Sequence, residues 1–106
     1  MVTCAMVDTG SRYSSITAAV VRRLDLSPVG TQTTIGITST KEVNTYCAHL
    51  AFKGTAMRFA VQCGTCSEIT PSVGVIIGMD VLSLCNLRLS NDGASTVLHI
   101  SLAAHT

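Results

Sequence analysis

Tryptophan is absent from this 106-residue chain, and tyrosine and phenylalanine occur only twice each. So few aromatic rings cannot build the stacking platforms that hold single-stranded nucleic acid. Charge is equally sparse: charged residues make up 12% of the chain, and the formal net charge is +1. Apart from Arg22-Arg23 the basic residues are scattered, which leaves no footprint for nucleic acid or a membrane surface. No apolar run reaches the length of a membrane span, and Met1 to Val7 is too short for a signal peptide. The chain is therefore expected to be cytoplasmic, or to be an excised fragment. Repeats, low-complexity tracts and linker-like stretches are missing as well. So are a Gly-x-Ser-x-Gly nucleophile elbow and a phosphate-binding glycine loop.

What is abundant is apolar. Hydrophobic residues make up 47% of the chain, enough to drive collapse into one small domain spanning residues 1–106. With so little charge to cover it, part of that apolar surplus is expected at a subunit interface. The five cysteines are an odd set, which argues against a complete disulfide framework. Cys63-Gly-Thr-Cys66 has the spacing of half a zinc knuckle, but no second such pair follows. A small zinc-binding β domain would need His49 and Cys85 to converge on it. Buried or reduced thiols are the simpler expectation, with no metal and no cofactor. A nucleophilic Cys–His pair has no local signature here.

Along the chain, Val2 to Val7 reads as a buried strand and Ile16 to Leu24 as a short helix. Thr17 is placed as its N-cap, and Arg22 and Arg23 suit its C-terminal end. Ser27-Pro28 should end that element. Thr31 to Ile37 is β-branched. From Val43 to Phe52, Tyr46, Ala48, Leu50 and Phe52 alternate with Val43, Thr45, Cys47 and His49, which predicts a strand. Lys53-Gly54 marks a hairpin returning through Met57, Phe59 and Val61, after which Gln62 to Ser72 reads as loop. Val73 to Gly78 is a continuous apolar run bounded by glycine, as expected of a strand covered on both faces. Met79 to Leu84 suits one or two helical turns. Asn86 to Ser90 and Thr96 to Leu102 form a last hairpin through Asn91-Asp92-Gly93. Asp25 and Asp92 read as a helix-end and a turn residue, and His49, His99 and His105 as surface or half-buried positions.

The chemistry-bearing sequence is Asp8-Thr9-Gly10-Ser11, which occurs once, directly after the first apolar stretch. It is followed by a short helix, a long β hairpin and Val75-Ile76-Ile77-Gly78-Met79-Asp80-Val81-Leu82. In that order and spacing the chain resembles a retropepsin-like aspartic protease over nearly its whole length. The similarity is greatest to the bacterial or phage-like branch, where Ile-Gly-Met-Asp precedes a short helix. The resemblance implies a mostly β fold, a closed or partly closed barrel with a flap hairpin and one or two short helices. It implies an aspartic endopeptidase acting on a polypeptide substrate, with a role such as processing a phage-like structural polyprotein.

Amide hydrolysis without a metal needs a base and an acid on either side of one water. Two carboxylates sharing a proton supply both, because like charges about 3 Å apart cannot both ionise. With one Asp-Thr-Gly per chain, the second carboxylate must come from a second copy on a two-fold axis, so a homodimer is expected. By the resemblance Thr9 hydrogen-bonds to the partner chain and Gly10 lets backbone approach the carboxylates. Ser11, where retroviral members usually have alanine, donates to the outer oxygen of Asp8. Ile37, Thr38, Ser39, Thr40 and Lys41 form the flap tip that closes over substrate. Retroviral members pair an acid at the position of Arg12 with an arginine at that of Met79. Here the polarity is expected to be exchanged, with Arg12 reaching Asp80; Asp80 otherwise reads as a helix cap. The tip lacks the paired glycines of retroviral enzymes, and only seven residues precede Asp8. Those departures leave a catalytically weak or inactive dimerisation or peptide-binding module on the same fold as the alternative.

Overall fold

Residues 1–103 are described by the computed structural model, so His105 lies outside the described residues. The chain is mostly β with two short helices. Its elements are β1 (Cys4–Val7), β2 (Ser15–Thr17), α1 (Ala18–Arg23), β3 (Gly30–Ile35), β4 (Thr40–Ala51), β5 (Arg58–Cys66), β6 (Val73–Ile77), α2 (Met79–Leu82), β7 (Cys85–Asn91) and β8 (Thr96–Leu102). Strands one to six form a single sheet in the order β1-β6-β2-β5-β4-β3, and among the described residues β7 pairs only with β8. Among the described residues the sheet does not close. Its edges are β1 and β3, because the last hairpin pairs with itself and does not bridge them. Of the expected closed or partly closed barrel, full closure is corrected: the described residues form a six-stranded sheet and a separate hairpin.

The apolar run at 73–77 forms a strand in which Gly74, Val75 and Ile77 are buried and Val73 and Ile76 are half-buried, so coverage of its two faces is incomplete. β6 lies between β1, with which it is parallel, and β2, with which it is antiparallel. Two consecutive strands thus flank a third drawn from the far end of the chain. The core is Ile16, Val20, Tyr46, Phe59, Cys63, Val75, Ile77, Val81 and Leu82, drawn from both helices and from β2, β4, β5 and β6. The alternation in β4 holds from Tyr46 to Ala51, with Cys47 and His49 exposed, but Thr45 on the opposite face from Tyr46 is buried as well. Phe52 meets Phe59 edge-on at 5.9 Å between centroids.

Three expectations are corrected. The first strand is not buried: all four residues of β1 are exposed at an edge of the sheet. The second is the loop expected from Gln62, since β5 runs on to Cys66. Its last residues pair in parallel with Ser15–Thr17, a partner some fifty residues away that local sequence does not signal. Finally, Ile16 and Thr17 belong to β2, and the helix starts at Ala18. Thr17 does cap it, accepting from the Val20 N–H at 3.4 Å. The helix ends before Ser27-Pro28. Asp25 adopts a left-handed φ of 52°, and the N–H groups of Asp25 and Leu26 return to the carbonyls of Arg22 and Val21.

The β7–β8 hairpin turns through Asp92, whose Oδ1 accepts from the backbone N–H of Ala94 and Ser95, and through Gly93 at φ 89°. Its register puts Cys85, Leu87 and Leu89 on one face with Leu98, Ile100 and Leu102. Asn86, Arg88, Ser90, His99 and Ser101 lie on the other. Leu87, Leu89 and Leu102 of the apolar face are exposed. An apolar groove of about 850 Å³ runs between this hairpin and the main sheet, reaching Val20, Leu50, Phe52, Met57, Leu98 and Ile100. The radius of gyration is 14.6 Å, against about 13 Å for a close-packed domain of this length. Much apolar surface is left uncovered. No helix among the described residues is long and apolar enough to cross a membrane.

Candidate active site

Asp8 leaves the end of β1 as its N–H donates to the Ile77 carbonyl at 2.9 Å. The turn then closes on itself. The Gly10 N–H donates to Asp8 Oδ1 at 2.9 Å, and the Ser11 N–H to the Asp8 carbonyl at 3.2 Å. This aims the half-buried carboxylate by backbone alone. A β-carbon on Gly10 would sit 3.2 Å from Asp8 Oδ1, so a side chain there would crowd the acid. Thr9 and Gly10 are exposed at the tip of the turn.

The rest of the loop is laced to the end of β6. The N–H groups of Met79 and Asp80, at the start of α2, donate to the carbonyls of Ser11 and Arg12 at 2.7 and 3.1 Å. Two N–H groups that a short helix would otherwise leave unpaired are thereby satisfied. Gly78 is what allows the approach: a β-carbon there would lie 2.7 Å from the Tyr13 carbonyl carbon and oxygen and 2.8 Å from the Ser11 oxygen. Ser14, fully buried, closes the loop. Its Oγ donates to Asp80 Oδ1 at 2.7 Å and accepts from the Gly78 N–H at 3.0 Å, while its N–H donates to Asp80 Oδ2 at 2.9 Å.

Two expected contacts are replaced. The Ser11 hydroxyl turns to the Tyr13 carbonyl at 2.8 Å and does not reach the outer oxygen of Asp8. Arg12 lies over the Tyr13 ring, its Cζ 6.0 Å from the centroid, while the Asp80 carboxylate is taken by Ser14 and by the Val81 N–H at 2.9 Å. Neutral donors already adjacent in the fold supply what the arginine was expected to supply. Asp80 does bond within the first turn of α2, although the N-cap position itself is Gly78. Ser14 carries no signal in the sequence, being one polar residue in a loop; its role shows only in its contacts with Gly78 and Asp80.

The hairpin tip spans Gly36 to Ser39, closed by the Gly36 N–H on the Ser39 carbonyl at 2.7 Å. Ile37, Thr38 and Ser39 form it, whereas Thr40 and Lys41 already pair in β4 with Ile35 and Thr34. Ile35 and Ile37 are both largely exposed. Asp8 through Ser11 come together in one turn. That turn and the tip belong to opposite edges of the sheet within one chain. Asp8 lines neither the apolar groove nor a second cavity of about 650 Å³ bounded by Tyr13, Arg58, Gln62 and Asp80.

The cysteines are all free thiols. Among the described residues no group of three or more His, Cys, Asp or Glu side chains is placed to hold a metal ion, so His49 and Cys85 do not join Cys63 and Cys66. Burial, reinforced by the nearby Asp80 carboxylate, pushes the Cys63 thiol from 9.0 up to about 11, and burial also raises Cys66 and Cys85. An acid held neutral in the fold stabilises it fully below its unfolded pKa and ceases to do so as pH rises through the folded one. Stability is therefore expected to fall between pH 9.0 and about 11 through Cys63. At pH 8 a thiol reagent should label exposed Cys4 and Cys47 within minutes and Cys63 only after unfolding, as counted by mass spectrometry.

No family model, curated protein or solved structure matches the chain.

Proposed function

We propose that this chain is a retropepsin-like aspartic endopeptidase that works as a homodimer. The observation that carries the reading is the Asp8 turn laced to Ile77-Gly78-Met79, with β6 threaded between β1 and β2. A carboxylate fixed by backbone at the mouth of such a junction, and outside the two cavities described above, suits a site completed between two subunits. The exposed apolar face of the β7–β8 hairpin is surface on which a second copy can pack.

In the dimer Asp8 and the partner subunit's Asp8 share one proton, and the apparent pKa values belong to the pair. The ionised member takes a proton from a water as that water attacks the peptide carbonyl carbon, while the protonated member gives its proton to the carbonyl oxygen. Proton transfer to the amide nitrogen then releases the amine as the C–N bond breaks. The substrate is an extended peptide with apolar side chains, since the chain carries little charge to line a groove. The tip around Ile37 closes over it and pairs with its backbone. A peptide-library digest between pH 4 and 7, with Asp8→Asn as control, tests the reading. Cleavage lost in that variant supports it, and no cleavage by the parent overturns it. The position of the tip and Asp8 on opposite sheet edges favours the second reading, a binding module on the same scaffold. Peptide binding without cleavage, equal in both proteins, would establish that reading.

A further inference from the structure

Resting on that reading, we infer that Asp80 is a positioning residue for the Asp8 turn, acting through Ser14 and never touching substrate. Its carboxylate takes three hydrogen bonds and all come from neutral donors: the Ser14 N–H, the Ser14 hydroxyl and the Val81 N–H. Ser14 passes the constraint on, because its hydroxyl, fixed as a donor to Asp80, must offer a lone pair to the Gly78 N–H. The Ser14 carbonyl is held in turn by the Gly64 N–H at 3.1 Å, which ties the loop to β5. The loop from Asp8 to Ser14 is thus pinned at its first residue by Ile77, in the middle by Met79 and Asp80, and at its last residue by the Asp80 side chain.

Every donor in this clamp faces an acceptor, so its chemistry is specific to a carboxylate. An asparagine of the same shape would turn an N–H₂ group toward a donor, and one bond would become a repulsion. The consequence for the reaction is geometric. A catalytic carboxylate displaced by about 1 Å loses rate by about 100-fold even when substrate binding survives. Asp80 therefore holds in place the loop whose own backbone aims Asp8, and it bears on turnover and not on affinity.

The test uses the full chain, with Asp80→Asn and Ser14→Ala as two independent breaks in the same clamp. Steady-state cleavage of a peptide substrate and amide hydrogen exchange are measured on each. The expected result is a kcat about 10- to 100-fold lower with KM within about twofold. The double variant is expected to be no worse than the poorer single one, since both remove one device. Exchange at Met79 and Asp80 should accelerate at least about tenfold, while the β4–β5 amides keep their protection. Unchanged kcat, or a uniform rise in exchange across the sheet together with a changed KM, would overturn the proposal. If the parent cleaves no peptide, the protease reading fails by itself, and exchange still decides the clamp. Acceleration confined to residues 11–14 and 78–81 upholds it, and none refutes it.

Discussion

Gly78→Ala is expected to cost about 3 kcal/mol of stability, the upper range for forcing atoms into a packed site. The added methyl would meet three backbone atoms, the Tyr13 carbonyl carbon and oxygen at 2.7 Å and the Ser11 oxygen at 2.8 Å. A side chain in the way can rotate aside, but backbone held by its own hydrogen bonds cannot. Relief would require the Asp8–Ser14 loop to lift off β6, breaking the bonds from Met79 and Asp80 that hold it. For a domain of this size the midpoint of thermal unfolding should fall by about 15 °C. Gly54→Ala is the internal comparison. Its φ is 80°, and nothing lies within 4 Å of the added carbon, so it carries only the left-handed backbone penalty of about 1 kcal/mol. Equal shifts for the two variants, followed by circular dichroism, would contradict the packing argument.

Asp8→Asn should leave the fold intact and lower peptide cleavage by about 10²- to 10⁴-fold, the usual contribution of positioned acid–base groups. The asparagine Oδ1 still accepts from the Gly10 N–H, so the turn keeps its shape. What disappears is the ability to hold and release a proton. Because each proposed site takes one acid from each subunit, the variant should also poison the parent. Excess Asp8→Asn chain mixed with a fixed amount of parent should draw parent subunits into mixed dimers and suppress activity. An unchanged rate on mixing would mean that one chain carries its own machinery.

Much of the scaffold could be read from residue order, for identifiable reasons. Val73 to Ile77 is apolar at every position but Gly74, and it forms an interior strand of the sheet. Asn91-Asp92-Gly93 carries its own turn chemistry, and Thr17 carries its own cap. These are local signals. The larger failures are non-local. Val2 to Val7 is apolar enough to be covered, yet whether a layer covers it depends on the rest of the assembly. The second half of β5 exists because Ser15–Thr17 reaches it from across the sheet. Closure of the barrel turned on whether β7–β8 would join the sheet or pair with itself. At the site, the Asp8–Ser11 turn was visible as a four-residue string, but the Asp80–Ser14 clamp was not. Opposite charges suggested Arg12, whereas proximity gave the carboxylate to a serine.

The most direct test is a structure of the protein in its solution oligomer, with the distance between the two Asp8 carboxylates measured. The account predicts a particle of twice the 11.1 kDa chain mass, with those carboxylates about 3 Å apart on the two-fold axis. A monomer at working concentration, or a dimer whose Asp8 side chains face away from each other, would contradict it.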